Sequence, residues 1–543
     1  VLWLVAASLL LLVPFLGRAF NVDEPLFLWV GRQVGAHPAN PFGFAVNWNG
    51  TAMPIAEVTK NPPLVGYLIA LAARVLGWSE LALHGAFLLP ALAAVLGTYA
   101  LAREWTSRPR AAALAALCTP VFAVTSTSVM ADTTLLAFWV LAVWAWVRGL
   151  RKRSQVSLAL AAVLVGAAAL SKYVGLLLIP LLALDAWLTE RRPSPSWLWL
   201  LLPLAIVGSY LVVMQRLYGR PLILDAASFA VGSRSAFGGW TPSRLLIGLT
   251  FTGGCMPLAA LCAGRLWSGR TLVIAAAVAL VLGFYLASQH SIWVWTFPVD
   301  RAGALLIAGQ CALLAIGGLA PLSLAVRDAL DVREPAAIVL VAWIAGVFAF
   351  ATLVNWTING RTLLLMVPAA AISLARALEP APVTTGRVRV GQAAPWVAAA
   401  ALAVAVAAAD AGWADSARRA ARDLSSTYRA REGHLWFMGH WGFQYYMEAL
   451  GGRAVDFDRS ELLSGDQVVF PQNNTAVVRP PPPWARWMRT AEYEGPRHLA
   501  TMQPQVGAGF HADVWGPLPY AIGDVPRERY DIFEVAPVDS SGP

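Results

Sequence analysis

Charge is scarce in this chain: only 13% of its 543 residues are Asp, Glu, Lys or Arg, against 58% that are hydrophobic. A water-soluble domain needs more polar surface than that, so composition alone points to an integral membrane protein. Cysteine is scarcer still. The four cysteines, Cys118, Cys255, Cys262 and Cys311, all lie in apolar stretches without C-x-x-C spacing, which excludes a disulfide framework and a thiolate zinc site. No G-x-G-x-x-G turn follows a strand, so nothing indicates a nucleotide-binding Rossmann unit. Nor is there an internal repeat, which removes the duplicated halves of many secondary transporters. The net charge of +9 does not signal nucleic acid, because the arginines cluster in short loops between apolar runs.

Those apolar runs dominate the chain. About 20 residues at 1.5 Å each cross a hydrocarbon core, and about thirteen runs are long enough to be spanning helices. They lie near residues 1–20, 80–102, 111–130, 133–150, 156–171, 173–189, 197–216, 244–264, 271–289, 303–325, 336–354, 361–378 and 394–412. The first, "VLWLVAASLLLLVPFLG", is expected to be an anchor, since no charged leader precedes it and no small-x-small site follows.

Arginine and lysine then orient the chain. "REWTSRPR" (103–110), "RGLRKR" (148–153), "ERRPS" (190–194), "RLWSGR" (265–270), "RDALDVRE" (327–334) and "TTGRVRV" (384–390) occupy alternate loops, which the positive-inside rule makes cytoplasmic. The long pieces, 21–79, 217–243, 290–302 and everything after about residue 413, fall outside. Within the first outer loop, 24–36 and 62–77 are expected to form short helices in the membrane interface, the former with Leu26, Phe27 and Val30 toward lipid. The tail turns polar and rich in Pro and Gly, with strand-like "DQVVF" (466–470) and "TAVVR" (475–479) and a stiff "RPPPPW" (479–484). The expected fold is therefore mainly α: a polytopic membrane domain over 1–412, then a small extracytoplasmic α/β domain over 413–543.

Charges at the outer face are the candidate site. Asp23 and Glu24 emerge from the first span, and Glu57 and Lys60 follow in "EVTKNPP". Asp132, Lys172 and Arg361 sit at span ends, and Arg216, Arg220, Asp225, Arg234, Asp300 and Arg301 lie in outer loops. The cations run against the positive-inside bias, and a charge beside hydrocarbon costs a few kcal/mol unless partnered. An anion bound at the lipid surface would account for them. Asp23 and Glu24 diverge on a helix, so one of them works: Asp23 either accepts a proton from a hydroxyl or caps the helix that follows. Lys60 meets a phosphate or snorkels, Asp132 and Lys172 cap their helices or join the site, and Arg361 clamps an anion or anchors the interface. His434 and His440 lie among aromatics, which suggests packing more than metal. N-x-[ST] matches at Asn49, Asn355 and Asn473 are short patterns of low specificity.

In order and spacing, the acidic pair, "KNPPLVGYLIAL", "GWSELALHGAFLLPALAAVLGTYALARE", the Asp opening the fourth span, the Lys after the fifth and the Arg opening the twelfth resemble one family over about residues 1–378. They are similar to the membrane-embedded GT-C glycosyltransferases of the protein O-mannosyltransferase and lipid A aminoarabinose transferase group. The resemblance implies inverting transfer of a sugar from a polyprenyl-phosphate carrier to a glycan, lipid or protein acceptor outside the cytoplasm, in a bacterial plasma membrane. It assigns Asp23 as the catalytic carboxylate, with Glu24 beside it and Asp132 as the acidic residue of the fourth span. Glu57, Lys60, Lys172, Arg216, Arg220, Arg301 and Arg361 are the candidate substrate-binding set. The family motif commonly runs Lys-Pro-Pro, so the inserted Asn61 shifts the aim of Lys60. No cofactor is implied; a divalent metal is an option whose work the cations could do instead. The rival class is a transporter or flippase for an anionic polyprenyl lipid, which would place charges at mid-bilayer along a path.

Overall fold

The computed structural model describes residues 1–236, 241–288, 300–379, 390–428, 433–478 and 485–536. The "TTGRVRV" loop up to residue 389, most of the outer piece 290–302 and "RPPPPW" lie outside the described residues. Every apolar run of the sequence forms helix over most of its described part. Nine helices among the described residues are long and apolar enough to cross a membrane, from Glu80–Trp105 to Gln392–Tyr428. The protein is an integral membrane protein.

The remaining runs are shorter or broken, each for a local reason. Run 111–130 becomes Pro109–Leu117 and Pro120–Ser126, bent by 64°. Pro120 has no amide to continue the first helix, and the Thr119 hydroxyl accepts from the Phe122 amide at 3.3 Å to start the second. Run 244–264 is interrupted after Cys255, just before Pro257, and resumes only as the short helices Leu258–Leu261 and Ala263–Leu266. Leu2–Phe15 and Gln155–Ser171 are apolar but shorter.

The first outer loop forms helices Glu24–Ala36 and Leu64–Leu76, with a hairpin of Ala45–Asn47 and Ala52–Pro54 between them. One expectation is corrected here: Leu26, Phe27 and Val30 are buried in protein and do not face lipid. The two helices pack so closely that a Cβ on Gly31 would lie 2.7 Å from Ile69 Cγ2, and one on Gly66 would lie 2.5 Å from Val30 Cγ1. The exposed apolar side chains, Tyr67, Leu71, Val75 and Leu76, belong to the second helix.

Helix Val390–Tyr428 continues without a break past residue 413. Beyond it lies a five-stranded sheet in the order Arg453–Ala454, Leu435–Phe437, Gln467–Pro471, Glu528–Val535, Ala485–Tyr493. The first three strands run parallel, and the last two pair antiparallel. The segment "TAVV" is not a strand. Ala476 has φ 49°, and the Asn474 carboxamide accepts from the Thr475 and His440 amides, at 2.7 and 2.9 Å, so the chain turns. Phe437, Phe443, Met447 and Ile532 share one buried cluster with Leu424 of the long helix and with Phe20, Leu83 and Phe87 of the membrane part. The tail is thereby seated over the first outer loop.

Candidate active site

The acidic pair is split at a strained turn. Val22, β-branched, holds φ 51°, a left-handed conformation that costs about 1–3 kcal/mol. Beyond it Glu24 is fully buried, while the Asp23 side chain keeps 33% of its surface. Asp23 occupies the N-cap position of Glu24–Ala36 without a capping hydrogen bond. Its Oδ2 instead takes Arg361 Nη1 at 2.7 Å.

Glu24 belongs to the interior. Its Oε2 accepts from the Asn21 amide at 2.7 Å and its Oε1 from the Val129 amide at 2.6 Å, with His84 Nε2 at 3.3 Å and Arg18 at 3.7 Å. Burial pushes this carboxyl up, and the charge of Arg18 with the His84 and Val129 bonds more than offsets it, so the net shift is down. A lowered folded value means stability that is present above the unfolded value of 4.5 and lost as pH falls through the lower folded one. Glu24→Gln should therefore destabilise the protein by about 3–5 kcal/mol at neutral pH, because it leaves Arg18 buried with one partner fewer. The variant should also unfold less steeply than wild type on acidification below that value; melting curves in detergent against pH check both.

Asp23, Lys60, Asp132, Lys172 and Arg361 line one cavity of about 490 Å³. Asp132, in the first turn of Ala131–Lys152, meets Lys172 Nζ at 2.7 Å, and Lys172 itself ends helix Gln155–Ser171, where a cation suits the helix dipole. Arg361 opens the span Gly360–Ala377, where the dipole opposes it, and Asp23 compensates. Among the described residues, Arg361 Nε and Asp132 Oδ2 are buried without a hydrogen bond. Both belong to residues that line the cavity, and a buried polar atom left unpaired there favours a polar ligand. Lys60 Nζ donates to the Glu57 carbonyl at 2.6 Å and lies 5.4 Å from the Phe229 ring centroid. Burial, with Arg220, pushes its ammonium below the ordinary range against the pull of Asp225 and Glu57. Asn61 lines the same cavity, so the inserted residue does not turn Lys60 away from it.

The same cavity is also lined by apolar side chains, among them Val174, Leu176, Leu177, Ile223, Ala226 and Ala230. Its lining is thus both charged and aliphatic.

Not all candidates converge. Glu57 and Arg220 pair with each other at 2.7 Å, and Arg220 with Asp225 at 2.9 Å, next to Lys60 but outside the lining. Arg216 is exposed in the last turn of Leu201–Tyr218. Arg301 is exposed at the start of Arg301–Val332, behind its cap Asp300. Alanine at either position should leave substrate turnover within about twofold of wild type, as for surface changes generally; steady-state rates of the purified variants check this. His440 is buried and stacked on Trp48 at 4.5 Å, and desolvation lowers its value to about 3, against the pull of Asp23. His434 lies 3.4 Å from Asp466.

Other residues at or near the site escaped the sequence reading. Asn355, Asn359, Thr362, Trp48 and Tyr173 also line the cavity. Asn359 caps the Arg361 helix by accepting from the Thr362 amide at 2.8 Å, a short polar N-cap that "NGRT" does advertise. Asp410, a lone acid in the apolar run "AVAAADAGW", meets Arg18 at 3.0 Å and His511 at 3.0 Å. An ionisable group inside a span is itself a signal.

Residues 60–214 match a family model described as dolichyl-phosphate-mannose-protein mannosyltransferase. The stretch contains Lys60, Asp132 and Lys172, and the resemblance read from the sequence is borne out there. Among curated proteins none matches. Solved structures that are similar include the Archaeoglobus fulgidus oligosaccharyltransferase in its apo form, at 15% identity and a TM-score of 0.48 over 83% of this chain. This chain spans 64% of that protein's length. ArnT from Cupriavidus metallidurans bound to undecaprenyl phosphate is 14% identical, with a TM-score of 0.46 over 87% of this chain and 93% of that one. The arabinosyltransferase EmbB from Mycobacterium smegmatis is 13% identical, with a TM-score of 0.31 over 92% of this chain and 46% of its own.

Proposed function

We propose that the protein is an inverting glycosyltransferase that moves a sugar from a polyprenyl-phosphate carrier to an acceptor at the extracytoplasmic face of a bacterial plasma membrane. The observation that carries the reading is the convergence of Asp23, Lys60, Asp132, Lys172 and Arg361 in one cavity that aliphatic side chains also line. The aliphatic lining suits the first isoprenes of a carrier that enters sideways from the bilayer, and the cations suit its phosphate. The acceptor hydroxyl attacks C1 of the sugar and the C1–O bond to phosphate breaks on the opposite face. The hydroxyl proton passes to the Asp23 carboxylate, and polyprenyl phosphate leaves with its negative charge held by Arg361 and Lys172. Asp132 keeps Lys172 in place by their ion pair.

In this reading residues 1–412 form the catalytic membrane domain and 413–543 an outer module, although helix Val390–Tyr428 joins the two. The acceptor is a glycan, a lipid such as lipid A, or a protein. Mass spectrometry of envelope glycans, lipids and proteins from cells with and without the protein should reveal one species that gains a sugar. Purified protein in vesicles should then form that bond from a polyprenyl-phosphate sugar. Movement of the lipid across vesicles with no covalent transfer would overturn the reading in favour of a flippase.

A further inference from the structure

Two sets of hydrogen bonds hold the stretch that leads into Arg361. Arg244, buried on helix Pro242–Cys255, donates to three carbonyls: Nε to Thr352 at 3.0 Å, Nη2 to Asn355 at 2.9 Å and Nη1 to Trp356 at 3.5 Å. These carbonyls lie in and just after the π-helical turn Phe350–Val354, a form often found at functional sites. The second set comes from a loop of the C-terminal segment. The Gly360 amide donates to the Phe510 carbonyl at 2.8 Å, and the Asp513 amide donates to the Ile358 carbonyl at 2.8 Å. Asp513 Oδ1 accepts from the Thr357 hydroxyl at 2.5 Å and from the Ile358 amide at 2.9 Å. The His511 carbonyl accepts from Arg361 Nη2 at 3.4 Å.

The loop is itself fixed to the membrane part. His511 Nε2 meets Asp410 Oδ1 at 3.0 Å on the long helix, and the same oxygen accepts from the Thr501 hydroxyl at 3.0 Å. A Cβ at position 360 would lie 2.7 Å from the Phe510 ring, so any larger residue there would require that ring to shift.

We propose that Asp513 is a positioning residue for Arg361, so that the C-terminal segment forms part of the clamp on the carrier phosphate. The proposal rests on the reading of Arg361 given above. Asp513 hydrogen-bonds Thr357, a lining residue, and the Ile358 amide, and acts by fixing the backbone three residues ahead of the guanidinium. One acceptor oxygen serves both a hydroxyl and an amide, a task that Asn can also perform and Ala cannot. A shift of about 1 Å in a group that must meet a phosphate costs up to about a hundredfold.

The test uses the full-length protein in lipid nanodiscs with a polyprenyl phosphate as probe. D513A should weaken binding by about ten- to a hundredfold and D513N by less than about threefold. On an R361A background D513A should add nothing, because the lost position has no guanidinium to act through. A merely structural role would instead weaken both backgrounds alike, and that additivity, or wild-type binding by D513A, would overturn the proposal. Where D513A does not fold, D513S carries the same cycle, being too short to reach both donors. A second arm needs no ligand: hydrogen exchange at the Ile358 and Gly360 amides should speed up in D513A and not in D513N. Unchanged exchange would overturn the positioning role. Failure of wild-type protein to bind the probe, with exchange behaving as expected, would sink the donor reading alone.

Discussion

Asp23→Asn is expected to lower transfer by about a hundredfold to ten-thousandfold, the range typical of a lost general base, while leaving the fold intact. Asn has the same shape and retains an oxygen for Arg361, so the 2.7 Å contact survives with its charge removed. What it cannot do is take the acceptor's proton. The stability cost should be smaller than that of Glu24→Gln, because a third of the Asp23 side chain is exposed whereas Glu24 is fully buried. The loss should appear in kcat with the donor KM nearly unchanged, since the proton moves only in the transition state. Rates from single-turnover reactions, set beside melting temperatures of the same preparations, separate chemistry from folding. Full activity in this variant would remove Asp23 from the mechanism.

The second large effect is expected at Arg361. Arg361→Lys should cost about a hundredfold to a thousandfold in kcat/KM for the donor, comparable to removing one preorganised group that stabilises transition-state charge. The guanidinium is planar and reaches Asp23 with one nitrogen and the His511 carbonyl with another, while its buried Nε has no hydrogen-bond partner. An ammonium offers one point charge on a flexible stem and cannot hold both contacts while meeting a phosphate. Arg361→Ala should be worse, because Asp23 would lose its neutralising partner at the place where the phosphate must sit. Kinetics with donor as the varied substrate would show it. If Arg361→Lys keeps near-wild-type kcat/KM, the phosphate is held elsewhere.

Much of the frame was legible because hydropathy reports it directly. The run lengths gave the helices, and the order of acids and cations along the chain marked Asp23, Lys60, Asp132, Lys172 and Arg361, all of which line the cavity. What spacing alone could not separate was Asp23 from Glu24; only the family resemblance points to Asp23. Neighbours in the chain look alike until a turn divides them, and that turn depends on a left-handed Val22, a residue type that does not announce such a conformation. Arg216 and Arg301 were marked by their side of the membrane, but sidedness says nothing of depth, and both are exposed outside the cavity. Leu26, Phe27 and Val30 were expected against lipid because an amphipathic stripe has the same spacing whether it meets lipid or another helix. The contribution of Asp513 was invisible, since it lies over 150 residues from Thr357 and no local pattern joins them.

The 39-residue helix Val390–Tyr428 has a mechanical corollary. At 1.5 Å per residue it is a rod of about 58 Å, well beyond a bilayer's apolar thickness. A rod does not absorb length changes as a loop does: one inserted residue between 411 and 428 would rotate everything downstream by about 100° and lift it by about 1.5 Å. The sheet could not then settle on the first outer loop while the 510–513 loop kept its grip beside Arg361. Natural variation in this stretch should therefore be confined to substitutions.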